Sequence, residues 1–200
     1  MEWIALCRYA GIGDPPGPLT PKSGEAVSEI WHEAINGITH PAFVVDASWK
    51  VLARNQPFSE IFPSDEGPSN ALRWMIFEGR SLMAEWDTTW APHVLPILRT
   101  DLAARPDDCV LKGLEEDVLA DPRTSRLYGV AGIAPRIDES ERPLQHAMHG
   151  PGLVKVCMAQ PTASPGTRLI FLIFRPGNQK SSPLRSRILR ESEASPFEVA

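Results

Sequence analysis

Arg168-Leu169-Ile170-Phe171-Leu172-Ile173-Phe174 is the stretch on which the fold turns. An unbroken apolar run after one arginine leaves neither face of a β-strand polar, and its branched and aromatic side chains suit a pleated surface. Such a strand reads as central in a sheet that is covered on both sides. Just upstream, Leu153-Val154-Lys155-Val156-Cys157-Met158-Ala159 is a second β-rich run. Pro161-Thr162-Ala163-Ser164-Pro165-Gly166 lies between them and is rich in residues that stop strands and build tight connections. The two runs are expected to pair antiparallel, with a weaker strand at about 142–148 ahead of them.

Further toward the N-terminus, Pro41-Ala42-Phe43-Val44-Val45-Asp46 and Lys50-Val51-Leu52-Ala53 read as a hairpin around Asp46-Ala47-Ser48-Trp49. From Asn55 to Gly132 the period becomes helical, over 55–62, 69–77, 79–84, 87–105, 108–120 and 122–130. Asp87 and Asp107 or Asp108 are candidate N-caps, as is Asn55, because their side-chain oxygens can accept an orphan amide of a first turn. Pro92 falls where a first-turn proline is tolerated, whereas Pro96 lies deeper and should kink or split its helix. Residues 21–37 read as an amphipathic helix carrying Val27, Ile30, Trp31, Ala34 and Ile35 on one side, with Asn36-Gly37 as its stop.

The order is helix, two strands, a block of helices, then three strands. It describes an α+β fold, a five-stranded antiparallel sheet with a block of helices packed on one face, as in a PAS domain. The domain is expected over 21–177. Ahead of it, 1–20 holds a short helix at about 2–10 and a Pro/Gly linker, Gly13-Asp14-Pro15-Pro16-Gly17-Pro18; after it, 178–200 reads as a polar, disordered tail.

Composition narrows the function classes. A formal charge of −5 and a pI near 5.6 argue against a nucleic-acid backbone as partner, which a basic stripe would require. Cys7, Cys109 and Cys157 are odd in number, far apart and without Cys-x-x-Cys spacing, so neither a disulfide framework nor a zinc knuckle is indicated, and a reducing cytoplasm fits. The N-terminus does not form a signal peptide, and no apolar run reaches the ~18–20 residues of a membrane span. No nucleophile elbow, phosphate loop, zinc-protease helix or dinucleotide fingerprint is present. An enzyme therefore has no dedicated residues to stand on.

Pro41-Ala42-Phe43-Val44-Val45 leading to Val51-Leu52-Ala53-Arg54-Asn55, then Asn70-Ala71-Leu72-Arg73-Trp74-Met75-Ile76-Phe77, Arg105-Pro106-Asp107-Asp108, Arg126-Leu127-Tyr128 and His149-Gly150-Pro151-Gly152 carry a resemblance. Together they resemble the ligand-binding domain of MmyB-like, XRE-type transcriptional regulators, a PAS-like domain common in actinobacteria. The Asn-x-x-Arg-Trp-Met segment is its most specific part. The resemblance implies a ligand sensor for fatty-acid-like or other apolar or amphipathic molecules. Two departures stand out. The family's His-Asp-Val motif is missing, since Tyr128 is followed by Gly129-Val130-Ala131-Gly132, and the helix-turn-helix domain that normally precedes the module is not found here, so the sensor is expected to act without its own DNA-binding domain.

The candidate ligand-binding residues are Asn55, Arg73, Trp74, Phe77, Trp86 and Trp90. Arg73 could clamp a carboxylate while Trp74, Met75 and Phe77 contact an acyl chain; the alternative is a salt bridge to Glu78, Glu85 or Asp87 over an ordinary core. Trp86 and Trp90 share one helix face with Met83 nearby, which is either packing or an adaptable wall. No metal is expected, because His146 and His149 would face opposite ways on a strand. Haem remains an option for a PAS-like fold, with His40, His93, His149 or Cys157 as axial ligand. Alternatives to the sensor are a protein-interaction modulator of a full-length regulator, or a co-opted, haem-dependent pathway enzyme. A homodimer, or pairing with that regulator, would serve the modulator.

Overall fold

The computed structural model describes residues 29–64, 67–130, 140–161 and 166–177. The expected helix at 2–10, the linker to residue 20 and the tail from 178 lie outside the described residues. Strands β1 (Ala42–Val45), β2 (Val51–Arg54), β3 (Arg142–His146), β4 (Gly150–Ala159) and β5 (Arg168–Pro176) form one sheet in the order β2-β1-β5-β4-β3. All neighbours are antiparallel. The apolar run thus takes the central position, with Leu169 opposite both Val44 and Ala159. Alternation along β5 sends Ile170, Leu172 and Phe174 into the main core and Leu169 and Phe171 to the opposite face.

The helices between β2 and β3 cover the first face. They are α2 (Gln56–Ser59), α3 (Ala71–Ile76), a 3₁₀ turn (Glu78–Ser81), a wide π-type turn (Trp86–Trp90) running directly into α4 (Ala91–Ala104), then α5 (Cys109–Ala120) and α6 (Pro122–Val130). This is the PAS-like α+β arrangement read from the sequence. An earlier helix, α1 (Glu29–Asn36), precedes β1 and lies on the other face, where Ile35 joins Ala42, Val44 and Ala53, flanked by Leu169 and Phe171. Its expected apolar stripe is narrower than the spacing implied: Ile35 is buried, but Ile30 is 67% exposed.

Local chemistry explains most boundaries, and corrects two. Asp108 caps α5 by accepting from the amides of Val110 and Leu111 at 3.0 and 3.1 Å. Asp87 caps nothing; it sits inside the wide turn and pairs with Arg123 at 2.7 Å. The wide turn begins at Glu85, which takes the left-handed φ of 53°. Pro92 lies in the first turn of α4 as expected, but the split at Pro96 does not occur and α4 is assigned as one element through it.

Two buried polar side chains tie the layers together. Asn55 accepts from the amides of Ala42 (2.9 Å) and Phe58 (3.1 Å), and its side-chain NH2 reaches the carbonyls of Ile35, Ile38 and His40. One amide therefore joins α1, β1 and α2. Asp101 on α4 accepts from the Trp49 indole at 2.6 Å and from both terminal nitrogens of Arg168 at 2.8 and 2.6 Å, while Arg105 stands 3.6 Å away. Trp49 itself has φ of 68°, a conformation rare for a bulky residue, at the end of the β1–β2 turn. Asp46 closes that turn by accepting from the amides of Ser48 and Lys50, each at 2.9 Å.

Removing one member of a buried ion pair strands the other. Asp101→Ala should lower the unfolding free energy in urea titrations by about 3–5 kcal/mol, and Asp101→Asn, which keeps an acceptor for Trp49, by less; a loss under about 1 kcal/mol for Asp101→Ala would show that the contact does not hold the layers.

Candidate functional site

Between sheet and helices the core does not close. The space open to the centre of a water molecule is about 60 Å³, several times the ~10–15 Å³ that one water needs. Its floor is the inner face of the sheet: Phe43, Leu144, Val154, Val156, Met158, Ile170 and Leu172. Its roof comes from Phe58, Ile61 and Phe62 around α2, from Trp74 and Met75 on α3, and from Trp90, Val94 and Ile97 of the wide turn and α4, with Met83 and Trp49 also on the wall. Period two on the strands and helical spacing in the roof present these apolar faces to one another. The wall is almost wholly carbon. Water gains few hydrogen bonds in such a space, so apolar matter is favoured there.

His93 and Arg142 are the titratable residues that reach this wall. The Nδ1 of His93 is 3.0 Å from the carbonyl of Thr89, which requires a proton on Nδ1. Its Nε2 is 3.4 Å from Ser140 Oγ, and Ser140 in turn accepts from Arg142 at 2.8 Å. The Arg142 guanidinium lies over the Trp90 ring, 5.6 Å from its centroid. Burial, and then the charge of Arg142, hold the His93 imidazole below its ordinary value, partly opposed by the Thr89 carbonyl.

Of the six residues singled out in the sequence, Trp74 and Trp90 line the chamber. Trp90 is locked, donating to the Pro143 carbonyl at 2.9 Å. Arg73 lies outside, about half exposed; of the expected salt-bridge partners only Glu78 is near, at 3.9 Å, and the closer partner is Asp117 at 2.5 Å, which ties α3 to α5. Phe77 is covered by Arg73 and Arg80, each 5.5 Å from its ring. Trp86 turns away from Trp90; it donates to the Met75 carbonyl at 2.7 Å and lies under Arg80 and Arg123. Asn55 sits off the chamber with its amide fully engaged. Sequence reasoning overlooked Trp49, His93 as a wall residue, Arg142 and Asp101. A signal for Asp101 existed, since it falls on the buried Val94–Leu98 stripe of α4, where a lone acid asks for a partner.

His146 and His149 do meet, contrary to the strand argument, because the β3–β4 turn folds them to a ring separation of 4.6 Å beside Phe174. His146 Nδ1 accepts from the Met148 amide at 3.2 Å, and the same turn docks on the helical side through the Ala147 amide and the Ile61 carbonyl at 3.1 Å. Burial first, and the neighbouring His149 second, lower the His146 pKa, against a smaller opposing pull from Glu60. Among the described residues no group of three or more His, Cys, Asp or Glu side chains is placed to hold a metal ion. Haem does not fit this chamber as it stands: the space is small, and the one histidine on its wall has its Nδ1 at a carbonyl and its Nε2 beside a hydroxyl.

A carbon-walled chamber roofed by helices over a five-stranded antiparallel sheet is the architecture of a PAS-like ligand-binding module. The family model described as MmyB-like transcription regulator ligand binding domain matches residues 27–186, and the chain belongs to that family. No curated protein matches its sequence. Among solved structures it is similar to the PAS domain from Bordetella pertussis BvgS, at 13% identity over 82% of this chain and 96% of that one, with a TM-score of 0.32. Among the described residues no helix is long and apolar enough to cross a membrane.

Because His93 and His146 are both held below the ordinary 6.5, the unfolded chain binds more protons than the native one as pH falls past that value. Their contribution to stability is complete above about pH 6.5 and is lost as pH drops through the folded values. Melting temperature measured from about pH 7.5 down to about pH 5 should start to fall near pH 6.5, and His146→Gln should flatten part of that slope; a Tm that is level through this range would contradict the burial of both rings.

Proposed function

We propose that this chain is a cytoplasmic sensory domain that holds a small apolar or amphipathic molecule of the fatty-acid-like class in the chamber between its sheet and its helices. The observation that carries this reading is the chamber itself, a carbon-walled space left open in an otherwise buried core. Met75, Met83 and Met158 stand on three sides of it, and unbranched thioether side chains can shift to admit a longer chain than the resting space holds. Membership of the regulator family supports a role in which occupancy is read out as regulation. The acidic balance of these residues supports a read-out through a partner, without direct contact to nucleic acid.

Pairing with a second copy or with a full-length regulator has one specific support. On the outer face of β4 Leu153 is 42% exposed, and on α1 Ile30 is 67% exposed. Size-exclusion chromatography with light scattering separates a monomer from a pair, and a monomer at every concentration, alone and with such a regulator, would remove this second reading.

Native mass spectrometry of the purified chain, before and after addition of decanoate, tests the first. A bound acyl species is expected, and Val156→Phe, which places a ring in the chamber, should weaken binding at least about tenfold while costing no more than about 1–3 kcal/mol of stability. Equal binding by Val156→Phe would place the ligand elsewhere.

A further inference from the structure

The chamber has a second compartment outside it. Phe62, Pro68 and Trp74 line the inner space and also line a surface groove, measured in the same way at about 390 Å³. The groove continues over Ser64, Gly67, Ser69, Ser81 and Leu82, with Glu78 at its edge. Its lining differs in kind from the chamber: hydroxyls, backbone and one carboxylate replace a wall of carbon, and among the described residues no lysine or arginine lines it.

Trp74 stands where the two meet, and it is held unlike its neighbours. Trp49, Trp86 and Trp90 each donate the indole N–H, to Asp101, Met75 and Pro143 respectively. Among the described residues Trp74 makes no such bond. Its ring is kept in place by an edge contact with Phe62, centroids 5.2 Å apart, and by lying flat over Gly79, where an added Cβ would come within 2.7 Å of the indole. Trp74 is also only partly buried, whereas the other three are buried. Rotating a buried tryptophan that donates a hydrogen bond leaves an acceptor unpaired; rotating Trp74 breaks no such bond.

We infer that the groove is the outer half of the ligand site, that it seats an uncharged, hydrogen-bonding head group, and that the Trp74 indole is the partition past which the chain enters the chamber. This rests on the chamber being a ligand site at all. The head-group chemistry follows from the lining: serine hydroxyls and an indole N–H satisfy hydroxyl, ester or amide groups, while a carboxylate would meet Glu78 without a lining cation to offset it. The neighbouring cations are engaged: Arg73 lies 2.5 Å from Asp117 and 3.9 Å from Glu78, and Arg54 donates to the Gly67 carbonyl at 3.1 Å.

Stopped-flow binding of 1-monodecanoylglycerol and of decanoate to the full chain separates the outcomes. The neutral probe is expected to bind at least about tenfold more tightly than the acid of equal chain length. Trp74→Ala should speed both association and dissociation at least about tenfold with a smaller change in Kd, and Trp74→Phe, which keeps the contact with Phe62 and preserves folding, should do so to a lesser degree. Equal or tighter binding of decanoate overturns the head-group assignment, and unchanged rates in both variants overturn the partition, with the chamber reading intact in either case. Failure of the unaltered chain to bind either probe overturns the inference and the chamber reading together.

Discussion

Asp101 is a carboxylate at 6% exposure in a helix whose buried stripe is otherwise apolar, and the arrangement of the sheet against the helices depends on it. A charge at that depth is tolerated when its oxygens are paired and hydrogen-bonded. Here both oxygens are taken by Arg168, at the start of the central strand, and one also by Trp49, at the end of the β1–β2 turn. The carboxylate therefore fixes where α4 lies over β5 and sets the rotation of the Trp49 indole. Arg168 adds to this by lying over that ring at 4.9 Å. Trp49 can hold its positive φ because the indole, the turn carboxylate of Asp46 and the backbone pairing of 48–51 with 69–71 all fix the same residue.

The same node shapes the chamber. Trp49 lines it, so the position of that part of the wall is set by an ion pair behind it, outside the apolar surface that the ligand space presents. Elsewhere the frame is aromatic: Phe43, Phe58, Phe62 and Trp74 form a chain of tilted and edge-on contacts with centroids 4.3 to 5.2 Å apart. Met75, Met83 and Met158 border the space beside this frame, and their unbranched side chains can shift to admit a guest.

The five strands, the central place of β5, the helical block and most of its ends were legible in the sequence, because each rests on signals within a few residues: the two-sided apolar run of β5, the Asp46 turn, the caps at Asn55 and Asp108. Some of the misreadings needed information from a distant segment, and others hung on a local turn that residue spacing does not reveal. Asp87 has the spacing of a cap, but its partner is Arg123 on α6. Trp86 and Trp90 are four apart, yet their indoles donate to different carbonyls, those of Met75 and Pro143. Arg73, placed by its apolar neighbours as a ligand clamp, faces solvent and an acid on α5. His146 and His149 come together only because a turn separates them. Candidate site residues suffer most from this, since a pocket is by construction a meeting of segments far apart in the chain.

Trp74 shows what remains after those corrections. Its position on α3 follows from Asn70, whose side chain accepts from the Arg73 amide at 2.9 Å and donates to the Ser48 carbonyl at 2.8 Å, so the helix starts where the β1–β2 turn holds it. The backbone is thereby fixed on the same turn that carries Trp49, while the side chain is bounded by the Phe62 ring and by the Gly79 backbone, with no hydrogen bond of its own among the described residues. A wall with a pinned Cα and an unbonded indole differs from the other tryptophan walls in the one degree of freedom that matters for admitting a molecule, rotation about χ1 and χ2. Gly79 is part of that difference: with no Cβ it lets the indole lie flat against the backbone, and any larger residue there would press on the ring. The rigid wall of the chamber and its movable one are thus set by neighbouring hydrogen bonds of a single turn, one made by an indole and the other by the backbone beneath it.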